Sequence, residues 1–267
     1  MGMRFQILGS SSSGNCALLE TDDTCILIDA GFSGRKLKTL LRAAGRSVDD
    51  LHGVFITHEH GDHATGVKGL SQQRPDLPFF ANYDTAQAVQ RPLKRDVRWV
   101  LFETHKQFKF RDLEITSCLI PHDAYEPVAY TFATGGHDLF NPYRKLAWIT
   151  DLGHTTDHVR ELAADADVLV LESNHDPDLL ANDPFRPYSV KARISGQHGH
   201  LSNEAAASFL QSFHRPRWRH LYLAHLSKDC NEPDRVDHSI RGAGCRCAHT
   251  VVDPTAPAQE PLDLLAL

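Results

Sequence analysis

The sequence predicts an α/β fold with helices on the outer faces of its sheet, and three observations lead there. Short, wholly apolar runs that read as buried strands alternate with segments of helical periodicity, as where Cys25-Ile26-Leu27-Ile28 is followed by Leu37, Leu40 and Leu41. Polar residues collect just past the carboxyl ends of those runs. The composition, 41% hydrophobic and 23% charged over 267 residues, is that of a globular chain able to bury a sizeable core. No Pro/Gly/Ser linker divides the chain, so residues 1–253 read as a single domain, with 254–267 as a loosely held Pro/Ala-rich tail.

The same numbers exclude several classes. A net charge of −6 argues against an electrostatically dominated nucleic-acid binder, though not against an enzyme that holds phosphates locally. No apolar run approaches a membrane span, and the N-terminus opens into a strand without a signal peptide, so a cytoplasmic location without membrane attachment is expected. The six cysteines are scattered, which fits reduced thiols, and the lone close pair Cys245-x-Cys247 lacks the second pair of a structural zinc site.

Phe5–Leu8 and Cys16–Glu20 read as the first two strands, joined by Gly9-Ser10-Ser11-Ser12-Ser13-Gly14-Asn15. That turn either donates N–H and O–H groups to a phosphate or is a surface connector. Cys25–Asp29 is a third strand, with Asp29 at its end either orienting a metal ligand or forming the turn. Ser33 caps a helix that stops at Gly45 and carries Arg35, Lys36, Lys38 and Arg42 on one face.

The apolar run Val54-Phe55-Ile56-Thr57 then delivers His58-Glu59-His60-Gly61-Asp62-His63. His58 and His60, two apart on extended chain, point to the same side and can share one ion. Asp62 and His63, beyond the turn at Gly61, can address a second ion. Imidazole with carboxylate suits zinc, manganese or iron.

A helix is expected over Thr65–Gln73, a strand over Pro78–Ala81 and a helix over Thr85–Gln90. A hairpin follows from Lys109 to Ile120 and runs into Pro121-His122, making His122 the third ligand for the first ion. Lys145–Thr150 is a buried strand that delivers Asp151, a carboxylate able to bridge two cations. Val168–Leu171 ends in Glu172-Ser173-Asn174-His175-Asp176. His200 stands at the entrance of a helix from Glu204 to Phe213 capped by Ser202 or Asn203, and the strand His220–Ala224 ends in His225, which completes the second set with Asp62 and His63.

Strand ends that carry His-x-His-x-Asp-His, then a His, an Asp and a His resemble the metallo-β-lactamase superfamily. Gly9-Ser-Ser-Ser-Ser-Gly-Asn-Cys16, Ile28-Asp-Ala-Gly-Phe-Ser-Gly-Arg35, Glu172-Ser-Asn-His-Asp176, Gly199-His-Leu-Ser-Asn203 and Ala224-His-Leu-Ser-Lys-Asp229 narrow the likeness to its YycJ/WalJ-like branch. The resemblance implies an αββα sandwich of two mixed sheets with outer helices. It implies one divalent metal ion on His58, His60 and His122, a second on Asp62, His63 and His225, and Asp151 between them. The branch is associated with 5′-to-3′ exonuclease action on DNA, which makes a DNA 5′ end the expected substrate and mismatch-repair proteins the expected partners.

On this reading, metal-activated water cleaves a phosphodiester. Asp62 takes the water's proton, His200 first and His175 second are the choices for the leaving oxygen, and Ser10 to Asn15 with Lys228 bind the terminal phosphate. Two alternatives are a hydrolase of small thioesters, lactones or phosphodiesters on the same metal pair, and a non-catalytic metal-bound scaffold. The oligomeric state is not legible in the sequence.

Overall fold

The computed structural model describes residues 2–137, 142–245 and 247–267. The first part of the chain forms β1 (Arg4–Gly9), β2 (Cys16–Glu20), β3 (Cys25–Ile28), α1 (Gly34–Ala43), β4 (Gly53–Phe55), α2 (Gly61–Ala64), α3 (Val67–Gln73), β5 (Phe79–Ala81), α4 (Tyr83–Gln90) and β6 (Trp99–Leu101). The second part forms β7 (Gln107–Phe110), β8 (Leu113–Leu119), β9 (Val128–His137), β10 (Pro142–Ile149), α5 (Asp157–Ala164), β11 (Val168–Glu172), α6 (Pro177–Asn182) and α7 (Tyr188–Ile194). It closes with α8 (Asn203–Gln211), β12 (His220–Ala224), α9 (Pro233–Gly242), β13 (Ala248–Val251) and β14 (Leu262–Asp263).

Two mixed seven-stranded sheets result, ordered β14-β1-β2-β3-β4-β5-β6 and β13-β12-β11-β10-β9-β8-β7. Strand alternation decides what lies between and outside them. In β3, Ile26 and Ile28 enter the core between the sheets, while Cys25 and Leu27 pack with Leu37, Leu41 and Leu70 of α1 and α3. In β11, Val168 and Val170 face inward and Leu169 and Leu171 meet Val159 of α5 and Ala206 of α8. Helix, sheet, sheet, helix is the αββα sandwich that the sequence predicts.

The inter-sheet core is aromatic. Phe55 stacks on Phe80 with ring centroids 4.4 Å apart and meets Tyr130 and Phe132 edge-on at 6.0 and 5.4 Å. Because Phe55 lies three residues before His58, its packing anchors the strand that aims the hexad. Phe55→Ala is expected to cost about 3–5 kcal/mol, read as a lower denaturation midpoint with an unchanged slope.

Two expectations change. The tail is not loose: β14 pairs antiparallel with β1, the Gln259 N–H donates to the Ile7 carbonyl at 3.0 Å, and Leu264 is fully buried. Leu262 and Leu264 pack into the inter-sheet core while their backbone covers the otherwise open edge of β1. The helix expected from Thr65 is two pieces, α2 beginning at Gly61 and α3 at Val67. Between them Gly66 presses against β3's end, where a Cβ would stand 2.7 Å from the Ala30 carbonyl.

The strand directions place the site. β3, β4 and β5 are mutually parallel, as are β10, β11 and β12, and β8 runs with β10 through the antiparallel β9 between them. Their carboxyl ends therefore lie along one edge of each sheet, where open α/β sheets hold ligands.

Candidate metal centre

Six strand ends supply the centre. β3 gives Asp29, β4 gives the hexad, β8 gives His122, β10 gives Asp151, β11 ends at Glu172 and β12 gives His225. Three of these residues leave their strands in the left-handed region, Asp29 at φ 59°, Asp151 at φ 62° and His225 at φ 60°. Non-glycine residues pay for that conformation, and they hold it where the surrounding structure needs the side chain turned sharply inward. The hexad is held by close backbone approach. A Cβ on Gly31 would fall 1.6 Å from the Asp62 carbonyl oxygen, and the Asn15 N–H donates to that oxygen at 2.8 Å.

Two groups of donors form, His58 with His60 and His122, and Asp62 with His63, Asp151 and His225, each within 4.8 Å of one another. In the first, His122 Nε2 lies 3.2 Å from His60 Nδ1. In the second, His63 Nε2 lies 3.5 Å from Asp62 Oδ2 and 3.2 Å from Asp151 Oδ2. His225 Nε2 is 3.4 Å from Asp62 Oδ2 and 3.3 Å from Asp151 Oδ1. His122 Nε2 is 3.9 Å from Asp151 Oδ1, so this one carboxylate touches both groups.

Four imidazoles have their Nδ1 occupied. His63 donates to Asp29 Oδ2 at 2.8 Å, His225 to Glu172 Oε1 at 2.7 Å and His122 to the Gly199 carbonyl at 3.1 Å. His58 Nδ1 meets the Thr57 hydroxyl at 3.1 Å, and that hydroxyl donates to Asp29. A fixed Nδ1–H leaves Nε2 as the lone-pair nitrogen, as a metal ligand requires. His58 Nε2 and Asp151 Oδ2 are buried with no hydrogen-bond partner. Orphaned polar atoms of this kind are costly unless an ion satisfies them. The residues present fit a metal site.

Electrostatics agree. Burial pushes His58 and His122 below the ordinary imidazole range, which keeps them neutral. Burial alone would also push His225 down, but Asp151, Asp62 and Glu172 hold it up at about 10, and Asp151 and Asp29 raise His63 in the same way. In chelator-treated protein the stability from His225 is therefore complete below its ordinary 6.5 and lost as pH rises through about 10. A divalent ion has to displace those protons, so apparent metal affinity rises with pH over the same interval. Calorimetric titration at pH 7 in buffers of different ionisation heat should show proton release on metal uptake. Zero protons released would contradict the assignment.

The remaining expected site residues divide. His200 joins the centre, donating from Nδ1 to Glu172 Oε1 at 2.9 Å, and lines a cleft with Ser12, His60, Asp62, Asp151 and His225. Burial would lower it, and Glu172 raises it above the ordinary value. His175 is not brought to the cleft. It lines a neighbouring cavity, is pushed down to about 4 by burial, and is held there as the Asn203 N–H donates to its carbonyl. His154 meets the Gln197 carbonyl at 2.9 Å.

In the serine turn only Ser12 reaches the cleft. The Ser10 hydroxyl donates to Asn15 Oδ1 at 2.8 Å and accepts from the His225 N–H at 2.9 Å, Ser11 Oγ accepts from the Ser13 N–H, and Asn15 is fully buried. Gly14 shapes the turn, its N–H donating to the Ser11 carbonyl at 3.1 Å. Ser10, Ser11 and Asn15 thus brace the centre rather than present donors to it. Lys228 lies away from the cleft, beside Ser10, Ser11 and Lys36 in another cavity, because Leu226 is buried and the Ser227 N–H bonds the Asn174 carbonyl. Glu59 turns outward and accepts from the Tyr125 N–H at 3.0 Å.

Sequence reasoning assigned no role to Glu172, whose second oxygen accepts from the Leu152 and Leu201 N–H groups at 3.1 and 2.9 Å. It also missed Arg193, which reaches the cleft from α7 and pairs with Asp123. A strand-terminal Glu was a visible signal for the first. Nothing local marked the second.

Two sheets whose strand ends assemble His and Asp clusters of this kind define the metal-dependent hydrolases of the metallo-β-lactamase fold, and the chain belongs to the metallo-β-lactamase superfamily. Residues 24–226 match the family model described as beta-lactamase superfamily domain. Among relatives, exodeoxyribonuclease YycJ of Bacillus anthracis is 37% identical over 243 residues, 90% of this chain and 88% of the relative. Exodeoxyribonuclease WalJ of Streptococcus pneumoniae is 35% identical over 235 residues, covering 86% and 84%. The crystal structure of the metallo-beta-lactamase fold protein YhfI from Bacillus subtilis superposes with a TM-score of 0.74 at 15% identity, over 98% of this chain and 100% of that one. Among the described residues, no helix is long and apolar enough to cross a membrane.

Proposed function

We propose that the chain is an exodeoxyribonuclease that hydrolyses DNA phosphodiesters from the 5′ end with two divalent ions. The observation that carries the metal chemistry is the pair of donor groups joined by Asp151. The choice of DNA rests on the likeness to YycJ and WalJ at 37% and 35% identity.

His58, His60 and His122 would hold one ion and Asp62, His63 and His225 the other, with Asp151 reaching both. Zinc, manganese or iron bound there would lower the pKa of a water and neutralise charge on the phosphate. Asp62, half-buried and facing the cleft, is the base for that water's proton. His200 is the acid. Its Nδ1 is committed to Glu172, so Nε2 is the nitrogen left to protonate the leaving oxygen, and Glu172's negative charge keeps a proton available there. The Arg193 guanidinium and the Ser12 hydroxyl line the same cleft and can bind non-bridging phosphate oxygens. Mismatch-repair proteins belong to the proposal as partners.

The test incubates metal-loaded protein with 5′-phosphorylated duplex DNA, single-stranded DNA, RNA and bis-p-nitrophenyl phosphate. Mononucleotides are expected from DNA, and their release is expected to fall by roughly three orders of magnitude in His60→Ala. Turnover of the small ester alone would move the assignment to a small-molecule hydrolase.

A further inference from the structure

α7 is a wall shared by two cavities. Its residues Val190, Arg193 and Ile194, spaced three and four apart, line the metal cleft. Its residues Tyr188, Lys191 and Ser195 lie on the other face and line a cavity of about 520 Å³, closed opposite by Leu180 of α6 and bounded by His175. The two spaces are thus separated by the thickness of one helix.

Two observations show that this second cavity is built for a ligand with both a flat face and polar edges. His175 is 3% exposed, its backbone fixed by a bridge to Ser202, yet its Nδ1 has no hydrogen-bond partner. A buried nitrogen left without a partner is rare in a folded chain. Tyr188, by contrast, is 86% exposed, and Phe185 on the loop before it is 90% exposed. Aromatic rings that folding leaves uncovered are the platforms on which single-stranded nucleic acids stack their bases. The segment 184–196 also holds Arg186, Lys191 and Arg193 and no acidic residue, which favours a polyanion.

We infer that the cavity between α6 and α7 is a nucleobase pocket. The base of a nucleotide next to the hydrolysed phosphodiester stacks on Tyr188, and His175 contacts its polar edge, while the phosphate stays in the metal cleft across α7. This rests on the nuclease reading for the identity of the ligand. The pocket positions the strand and adds no group to the chemistry.

The experiment compares binding of deoxynucleoside 5′-monophosphates and abasic deoxyribose 5′-phosphate to the metal-loaded protein by calorimetry. Both probes carry the same phosphate, so any difference reports the base. The nucleotides are expected to bind about ten-fold tighter, and the difference is expected to vanish in Tyr188→Ala and in Ala181→Trp, which fills the cavity from α6. Both positions are exposed, so neither change threatens the fold. Equal binding of the two probes, or a difference that survives Ala181→Trp, overturns the pocket. A chain that cuts no DNA yet keeps the base-dependent difference would overturn the nuclease reading alone. DNA cleavage whose KM ignores both substitutions would overturn the pocket alone.

Discussion

Asp151→Asn is expected to abolish hydrolysis while leaving the fold intact. The Asp151 carboxylate lies 3.2 Å from His63 Nε2, 3.3 Å from His225 Nε2 and 3.9 Å from His122 Nε2, so it is the one charge that both donor groups share. Burial would raise its pKa, and the facing imidazoles hold it well below the usual carboxylate range, so it is ionised whenever the protein is folded near neutrality. An amide has almost the same shape. It replaces one oxygen by an NH2 donor and removes the negative charge that an ion needs. Asn tolerates the left-handed φ of 62° as well as Asp does, so the substitution isolates charge from backbone conformation. Hydrolysis is expected to fall by roughly a thousand-fold or more, and bound metal measured by elemental analysis should fall with it. A variant with full metal content and near-normal rate would mean that Asp151 does not join the two groups.

Glu172→Gln is the second large effect, and it acts through other residues. One carboxylate oxygen takes the Nδ1 protons of both His225 and His200, and the other takes two backbone N–H groups. Burial would raise this acid, and His200 and His225 draw it down to about 2. Glutamine keeps the volume but can satisfy one of the two donor pairs, so its NH2 must face an N–H of the other. Breaking a buried charged network of this kind costs about 3–5 kcal/mol. Losing the group that orients a ligating imidazole lowers metal affinity about 10- to 100-fold. Metal affinity by competition with a chromophoric chelator checks the second figure. A pH profile separates positioning from simple destabilisation. Glu172 raises the pKa of His200, so in Glu172→Gln the alkaline limb of hydrolysis should move to lower pH. An unmoved limb would remove His200 from the acid's role.

Much of this centre was legible because parallel strands funnel polar residues to one edge. The hexad, His122, Asp151 and His225 each follow an apolar run, and the run's end fixes where the side chain goes without knowledge of what packs around it. Glu172 sat at such an end as well, but its job depends on His200 and His225, which are distant in sequence and meet it only in the fold. The serine turn shows the opposite error. Ser10 and Asn15 have the chemistry of a phosphate loop, yet their polar atoms are spent on each other and on the His225 backbone. No periodicity marks that difference.

The less regular elements were not legible for related reasons. β6 has three residues and partly exposed side chains, so it carries neither a continuous apolar run nor clean alternation. α7 buries none of its residues, so no apolar stripe reveals it, and with it went Arg193 and the second cavity. β14 is a two-residue strand whose pairing partner is at the other end of the chain. The Pro/Ala-rich composition before it suggested looseness, and the deciding contact, Leu264 in the inter-sheet core, is tertiary.

The account turns on the claim that these donor groups act on DNA at a 5′ end. The most direct measurement follows a duplex labelled on the terminal 5′ phosphate of one strand and, in a parallel reaction, on its 3′-terminal nucleotide, with metal-loaded wild type and His60→Ala. The prediction is that the 5′ label leaves first as a labelled mononucleotide, the 3′ label leaves last, and neither leaves with His60→Ala. Release of the 3′ label first, or no loss of either label while a small phosphodiester is hydrolysed, would contradict it.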